Sequence, residues 1–128
     1  MSSQGRQLFA EELHELGFDP ELVEGSETMI SFGYVIPNGP RCGEQVRLGL
    51  EVPPNFPVEP PHGPHYRPTI LRGRNIAGVH ENLAFGPDWD HWSRPHPRWN
   101  LIDRSVKAYM RHLRSLNEEL PGQLAHVA

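Results

Sequence analysis

The stretch from Glu51 to Pro61 restricts the fold more than any other, because five of the chain's fourteen prolines fall inside it. Proline fixes φ and removes a backbone donor, so this segment can be neither helix nor central strand. Each residue that precedes a proline is pushed toward extended geometry as well. The reading is a stiff, extended or polyproline-like crossover. Phe56 and Val58 are its apolar side chains besides the prolines, and they are expected to pin it to a core. A strand-like run leads into the crossover. The run after it holds most of the histidines and all three tryptophans.

The flanking sequence has clear periods on both sides. Leu8, Phe9, Leu13 and Leu16 recur at helical spacing with Glu11, Glu12 and Glu15 between them, which predicts a helix over Gln4–Leu16. Ser2 or Ser3 would cap it and Gly17 would end it. Thr28–Ile36 alternates, with Ile30, Phe32, Tyr34 and Ile36 on one face. Glu44–Val52 alternates more strictly, with Val46, Leu48, Leu50 and Val52 opposite Gln45, Arg47 and Glu51. Residues 38–43 join the two as a hairpin loop. Beyond Pro61, Tyr66–Leu71 reads as a further strand confined to an edge or bulge by Pro68. Gly73–Trp99 shows no period of either kind, and a loop of that length in a small domain is usually functional or disordered. Its tryptophans argue for order. The last helix is predicted over Leu101–Leu120, capped by Asn100 or Asp103, with Ile102, Val106, Tyr109, Met110, Leu113, Leu116 and Leu120 as its stripe.

A length of 128 residues suits one domain, with a core over residues 4–118 and a frayed tail at 121–128. The net charge of −4 argues against nucleic-acid binding. One cysteine, Cys42, excludes an internal disulfide and a multi-cysteine zinc site. No signal-peptide pattern and no apolar run of bilayer length is visible, so the expectation is a cytoplasmic protein with no membrane partner.

Helix, antiparallel strands, proline-rich crossover, irregular segment and helix occur in an order that resembles the ubiquitin-conjugating (UBC) fold. That family carries a P-P-x-[YF]-P-x-x-P-P motif, and Pro53–Pro61 matches every fixed position. His80-Glu81-Asn82 matches the family's His-Pro-Asn tripeptide in part, and Trp99 with the following helix matches its tryptophan and helix. More narrowly, Trp89–His96 resembles a bacterial group of UBC-like proteins found beside ubiquitin-like proteins, activating enzymes and JAB-type peptidases. The resemblance implies an α+β fold of UBC type: an N-terminal helix, a meander of four antiparallel strands, the crossover, an irregular active-site-like segment and a C-terminal helix. It also implies partners: a ubiquitin-like protein and the activating or conjugating enzyme of the same pathway.

One departure decides the functional expectation. The family's catalytic cysteine should fall at Asp88-Trp89-Asp90-His91, and no cysteine follows Cys42. A thioester carrier needs a sulfur nucleophile, which aspartate and histidine cannot replace. The resemblance therefore points to a non-catalytic relative that binds a ubiquitin-like protein or its machinery, with His80, Asn82, Asp88, Trp89, Asp90 and His91 as an active-site-like region. Cys42 reads either as an atypical nucleophile or as an inert loop thiol. His91 and His96, with Asp88 and Asp90, have zinc-ligand chemistry, which leaves open a small metal-dependent hydrolase, and His62 and His65 could join them. No paired ligand spacing of the H-E-x-x-H kind is present, so neither a metal nor another cofactor is expected. Adjacent aspartate and histidine in an extended segment would also point apart. Trp89 and Trp92 read as an exposed partner-binding platform or as packing, and Trp99 reads as packing. Arg104, Lys107, Arg111 and Arg114 form a basic helix face, either solvated or able to dock an acidic partner.

Overall fold

Two alternating strands set the core. In β2 (Met29–Val35) and β3 (Gln45–Glu51), antiparallel register pairs Ile30 with Leu50, Phe32 with Leu48 and Tyr34 with Val46. Opposed residues share a face, so both apolar sets lie on one side, and all six side chains are buried. The computed structural model describes residues 4–71, 78–81, 85–94, 98–101 and 103–121, with the backbone alone for residues 4, 80, 81 and 101. Around this pair the sheet is completed by β1 (Glu21–Leu22), β4 (His65–Arg67), β5 (Val79–Glu81) and β6 (Asp90–Trp92), in the order β1-β2-β3-β4-β6-β5. Every pairing is antiparallel, and β1 to β4 form the expected four-strand meander. β5 and β6 fall inside the stretch that had no readable period. At three residues each they are too short to display one.

Helix α1 (Gln4–Glu15) buries Phe9 and Leu13 completely. Gly17 ends it at φ +99°, and the Phe18 N–H donates to the Leu13 carbonyl at 3.2 Å. A left-handed residue at this point is the usual helix stop. Ser2 and Ser3, expected as caps, lie outside the described residues.

The C-terminal helix starts later than its apolar stripe predicts. Trp99–Leu101 is a single 3₁₀ turn, and α2 runs from Val106 to Asn117. Its cap is Ser105, not Asn100 or Asp103: the Ser105 hydroxyl accepts from the Ala108 N–H at 3.1 Å. Glu12 of α1 accepts from the Val106 N–H at 3.2 Å, so a second amide of the first turn is satisfied from across the helix pair. Arg104 stands at φ +38° and Ser105 is extended, which breaks the helical path between the two pieces. Arg104 therefore precedes the helix and is not part of its basic face. Val106, Tyr109, Leu113 and Leu116 do face the core.

The proline segment is a pair of tight turns followed by a crossover, in place of one continuous extended run. The Phe56 N–H donates to Pro53 at 3.0 Å, and the Val58 N–H donates to Asn55 at 2.8 Å. Pro54 takes the second position of the first turn, which its fixed φ suits, and Pro57 takes the third position of the second, behind a cis Phe56–Pro57 bond, as that class of turn requires. Phe56 enters the core at 4% exposure, edge-on to Phe9 at 5.2 Å, while Val58 is 58% exposed and pins nothing. Trp99 closes over the segment, its indole N–H donating to the Pro57 carbonyl at 2.9 Å. Trp99 thus packs as the sequence suggests.

Candidate functional site

Strand β6 distributes the residues expected at the site to the two faces of the sheet. Asp90 lies opposite Tyr66 and points into the core, fully buried. Its carboxylate accepts the Leu71 N–H at 2.7 Å. His91, one residue on, points to the outer face and stacks on His65, with ring centroids 4.2 Å apart and planes within 8°. An aspartate–histidine couple is therefore absent here: period-two alternation separates the two groups across the sheet. Asp88 is exposed in the preceding turn.

The outer face carries a second, smaller apolar cluster. Phe85 packs on His65 at 4.7 Å and over Gly49, where a Cβ would come within 2.7 Å of the ring. Trp89 packs on Phe85 at 4.7 Å, and the Arg67 guanidinium sits 5.1 Å from the Trp89 ring centre. Residues 85–89 thus roof this side of the sheet. Under the roof, His65 is 2% exposed. Burial first, and His91 beside it second, lower its pKa from 6.5 to about 3, against an opposing hydrogen bond to the Gly49 backbone. His65 is neutral at physiological pH. Among the described residues its Nδ1 has no hydrogen-bond partner.

Trp89 and Trp92, which the sequence left between an exposed partner-binding platform and packing, are both buried. Trp92 has no exposure and belongs to the main core, with the Arg94 guanidinium 4.8 Å above its ring; Trp89 is 7% exposed beneath Arg67. Bulky rings at the edge of a small domain carry too much apolar area to be left out of its packing. Sequence reasoning missed Phe85 and the stacking role of His65. The alternation of β6 would have indicated that role had the strand been long enough to recognise.

The remaining expected residues are spread out. Cys42 is exposed in the β2–β3 hairpin, its thiol directed at the Pro37 carbonyl at 3.3 Å. The register places His91 two strands from β3, level with Gly49 and four residues along from Gln45. At about 3.4 Å per residue and about 4.8 Å per strand, Gln45 is on the order of 17 Å from His91, and the hairpin that carries Cys42 lies beyond it. His80 lies opposite His91 in the β5–β6 register. Asn82 and His96 lie outside the described residues. His62 is exposed, 3.8 Å from a Glu51 carboxylate oxygen, and borders an open cleft of about 400 Å³ with Glu59 and His91. Among the described residues, no three His, Cys, Asp or Glu side chains are placed to hold a metal ion. Lys107, Arg111 and Arg114 are exposed on α2, and Arg111 pairs with Asp103 at 3.2 Å.

No protein-family model and no curated protein matches the sequence. Solved structures do. Human ubiquitin-conjugating enzyme E2 G1 superposes with a TM-score of 0.54 at 16% identity, over 94% of this chain and 99% of that one. A Plasmodium vivax ubiquitin conjugating enzyme E2 gives a TM-score of 0.49 at 13% identity, over 85% of this chain and 97% of that one. At these identities the likeness is one of fold. The chain has a UBC-like α+β fold, with one helix before and one helix after an antiparallel sheet. No helix among the described residues is long and apolar enough to cross a membrane.

Proposed function

We propose that this chain is a non-catalytic UBC-fold protein of a bacterial ubiquitin-like conjugation pathway. It binds a ubiquitin-like protein, or the activating or conjugating enzyme of that pathway, in the cytoplasm, and carries no thioester itself. The observation that carries the reading is Asp90. In the stretch where the resemblance puts the nucleophile, Asp90 is turned into the core and its carboxylate is held by the Leu71 amide. Trp89 beside it is packed under Arg67, and His91 lies against the His65 ring. None of these groups can form an acyl bond that survives until transfer, which is the property a thiolate supplies. Cys42 is an exposed thiol, but it sits at the far end of β3 from this region.

The test is incubation with the pathway's ubiquitin-like protein, its activating enzyme and ATP, resolved on non-reducing gels, together with a direct binding measurement. The expected result is binding with no reductant-sensitive adduct. An adduct abolished in Cys42→Ser would make Cys42 the carrier and replace the proposal with an active enzyme that has a displaced nucleophile. Absence of binding to every pathway component would remove the binding role.

A further inference from the structure

A groove remains on the side of the molecule away from β6, between the C-terminal turn of α1, the end of β2 and α2. It is an open cavity of about 390 Å³. Phe18, Tyr34 and Met110 give it an aromatic and apolar lining, and Leu16 and Val35 lie at its border. The lining is held rigidly. Phe18 packs edge-on to Phe32 at 5.3 Å and beside Tyr34 at 6.3 Å, and the Tyr34 hydroxyl accepts from the Asn117 side-chain amide at 3.0 Å. Four large apolar side chains are strongly exposed among the described residues: Leu16, Leu22, Val35 and Val58. Two of them, Leu16 at 44% and Val35 at 53%, border this one groove. Scattered exposed leucines and valines need no explanation, whereas two set around an aromatic lining form a recognisable contact patch.

The rim is cationic in a chain whose net charge is −4. Lys107, Arg111 and Arg114 line it. Arg111 has an exposed partner in Asp103, while no carboxylate among the described residues lies within ion-pair distance of Lys107 or Arg114. Burial pushes the pKa of the Tyr34 hydroxyl up, and the Asn117 hydrogen bond and then the Arg114 charge oppose it, so Arg114 acts on the lining as well as on the rim. At its other end the groove adjoins a crevice lined by Glu11, Glu12 and Glu15 of α1, with Lys107 common to both. The surface is therefore polar along its length, acidic past Lys107 and basic toward Arg114. A partner that met it with carboxylates would be attracted to one end and repelled from the other, which fixes its direction.

We infer that this groove receives an acidic protein segment that inserts one large apolar side chain between Phe18, Tyr34 and Met110 and sets its carboxylates against Arg111 and Arg114. The inference rests on the proposed binding role in one respect: it supplies a contact through which a component of that machinery would dock. An open groove encloses too little of a small molecule to hold it well. A chain of negative net charge repels the continuous phosphate charge of a nucleic acid. A short protein segment meets both conditions, since an apolar anchor and flanking carboxylates can be combined within a few residues.

The experiment titrates the full, isotope-labelled chain with a capped Asp-Glu-Leu-Asp-Glu peptide while amide shifts are followed by NMR. Two control peptides replace the leucine with alanine or every acid with lysine. The expected result is shifts confined to residues 16–18, 34–36 and 107–114, with both controls binding at least about fivefold more weakly. Val35→Glu and Arg114→Glu each reduce affinity for the acidic peptide at least about fivefold. Both positions are exposed, so unchanged spectra elsewhere establish that the variants are folded. Absence of shifts in the groove, or equal affinity for the leucine and alanine peptides, overturns the inference. The same variants separate it from the proposed function. If a pathway component binds wild type and both variants alike, the groove inference fails and the binding role stands. If the peptide binds as described and no pathway component does, the binding role fails and the groove stands.

Discussion

His65 shows what a single residue can impose on this fold. It lies between Phe85 and His91 on a face covered by residues 85–89. Burial holds its pKa at about 3, below its ordinary value of 6.5. Above about pH 6.5 both the folded and the unfolded chain keep it neutral. As the pH falls below that value the unfolded chain takes up the proton and the folded chain does not, so the stability present at neutral pH is lost progressively down to about pH 3. The slope from one such group reaches at most ~1.4 kcal/mol per pH unit. His112, lowered by burial and partly restored by the Arg94 carbonyl and Glu119, adds a loss of the same sign. Urea unfolding between pH 7.5 and pH 4 should show this decline, and His65→Phe should flatten it while keeping an aromatic ring in the stack. An unchanged pH slope in that variant would show that His65 is not the group responsible.

At the scale of elements, stability is held at the junctions. Ser105 caps α2 at the point where Arg104 interrupts the helical path. Ser105→Ala should cost about 0.5–2 kcal/mol, measured as a lower urea midpoint with unchanged slope; a loss below 0.3 kcal/mol would mean that Glu12, which also serves this first turn, suffices alone. The same junction shows how far the sequence could be read. Long amphipathic elements were legible: α1, β2 and β3 lie within a residue or two of where their periods put them, because their periods are driven by burial on one face. The α2 stripe was legible too, but its periodicity continued upstream through Leu101 and Ile102, while a left-handed Arg104 puts the start of the helix after it. Nothing in the residue types marked that break, since arginine has no preference for positive φ. β5 and β6 were illegible because three residues cannot show alternation. That Asp90 and His91 point apart was readable from extended geometry alone, but without β6 it was not readable that Asp90 is the one turned into the core, or that Trp89 and Trp92 are buried rather than offered to a partner.

At the scale of the molecule, the two sides of the sheet carry different kinds of chemistry. One side is the apolar core under the helices; the other gathers His65, His91, Phe85 and Trp89. Two stacked imidazoles are not a metal site without further ligands at suitable angles. The purified protein is accordingly expected to contain well under one equivalent of metal per chain by elemental analysis, and EDTA should leave its melting temperature unchanged. One zinc per chain, lost in His91→Ala, would revive a hydrolase built on His91 and His96.

The strand order carries a consequence for biosynthesis. β5 precedes β6 in the chain, yet β6 stands between β4 and β5 and is, among the described residues, the strand that pairs with β5. When β5 leaves the ribosome its slot cannot yet be filled, and the outward edge of β4 stays open until residues 90–92 have followed. A polypeptide released in that interval presents an unpaired strand edge, the feature that templates aggregation. For a cell making this protein, the hazardous interval of translation runs from residue 67 to residue 92, after the β1–β4 meander has emerged and before β6 has arrived to cover β4.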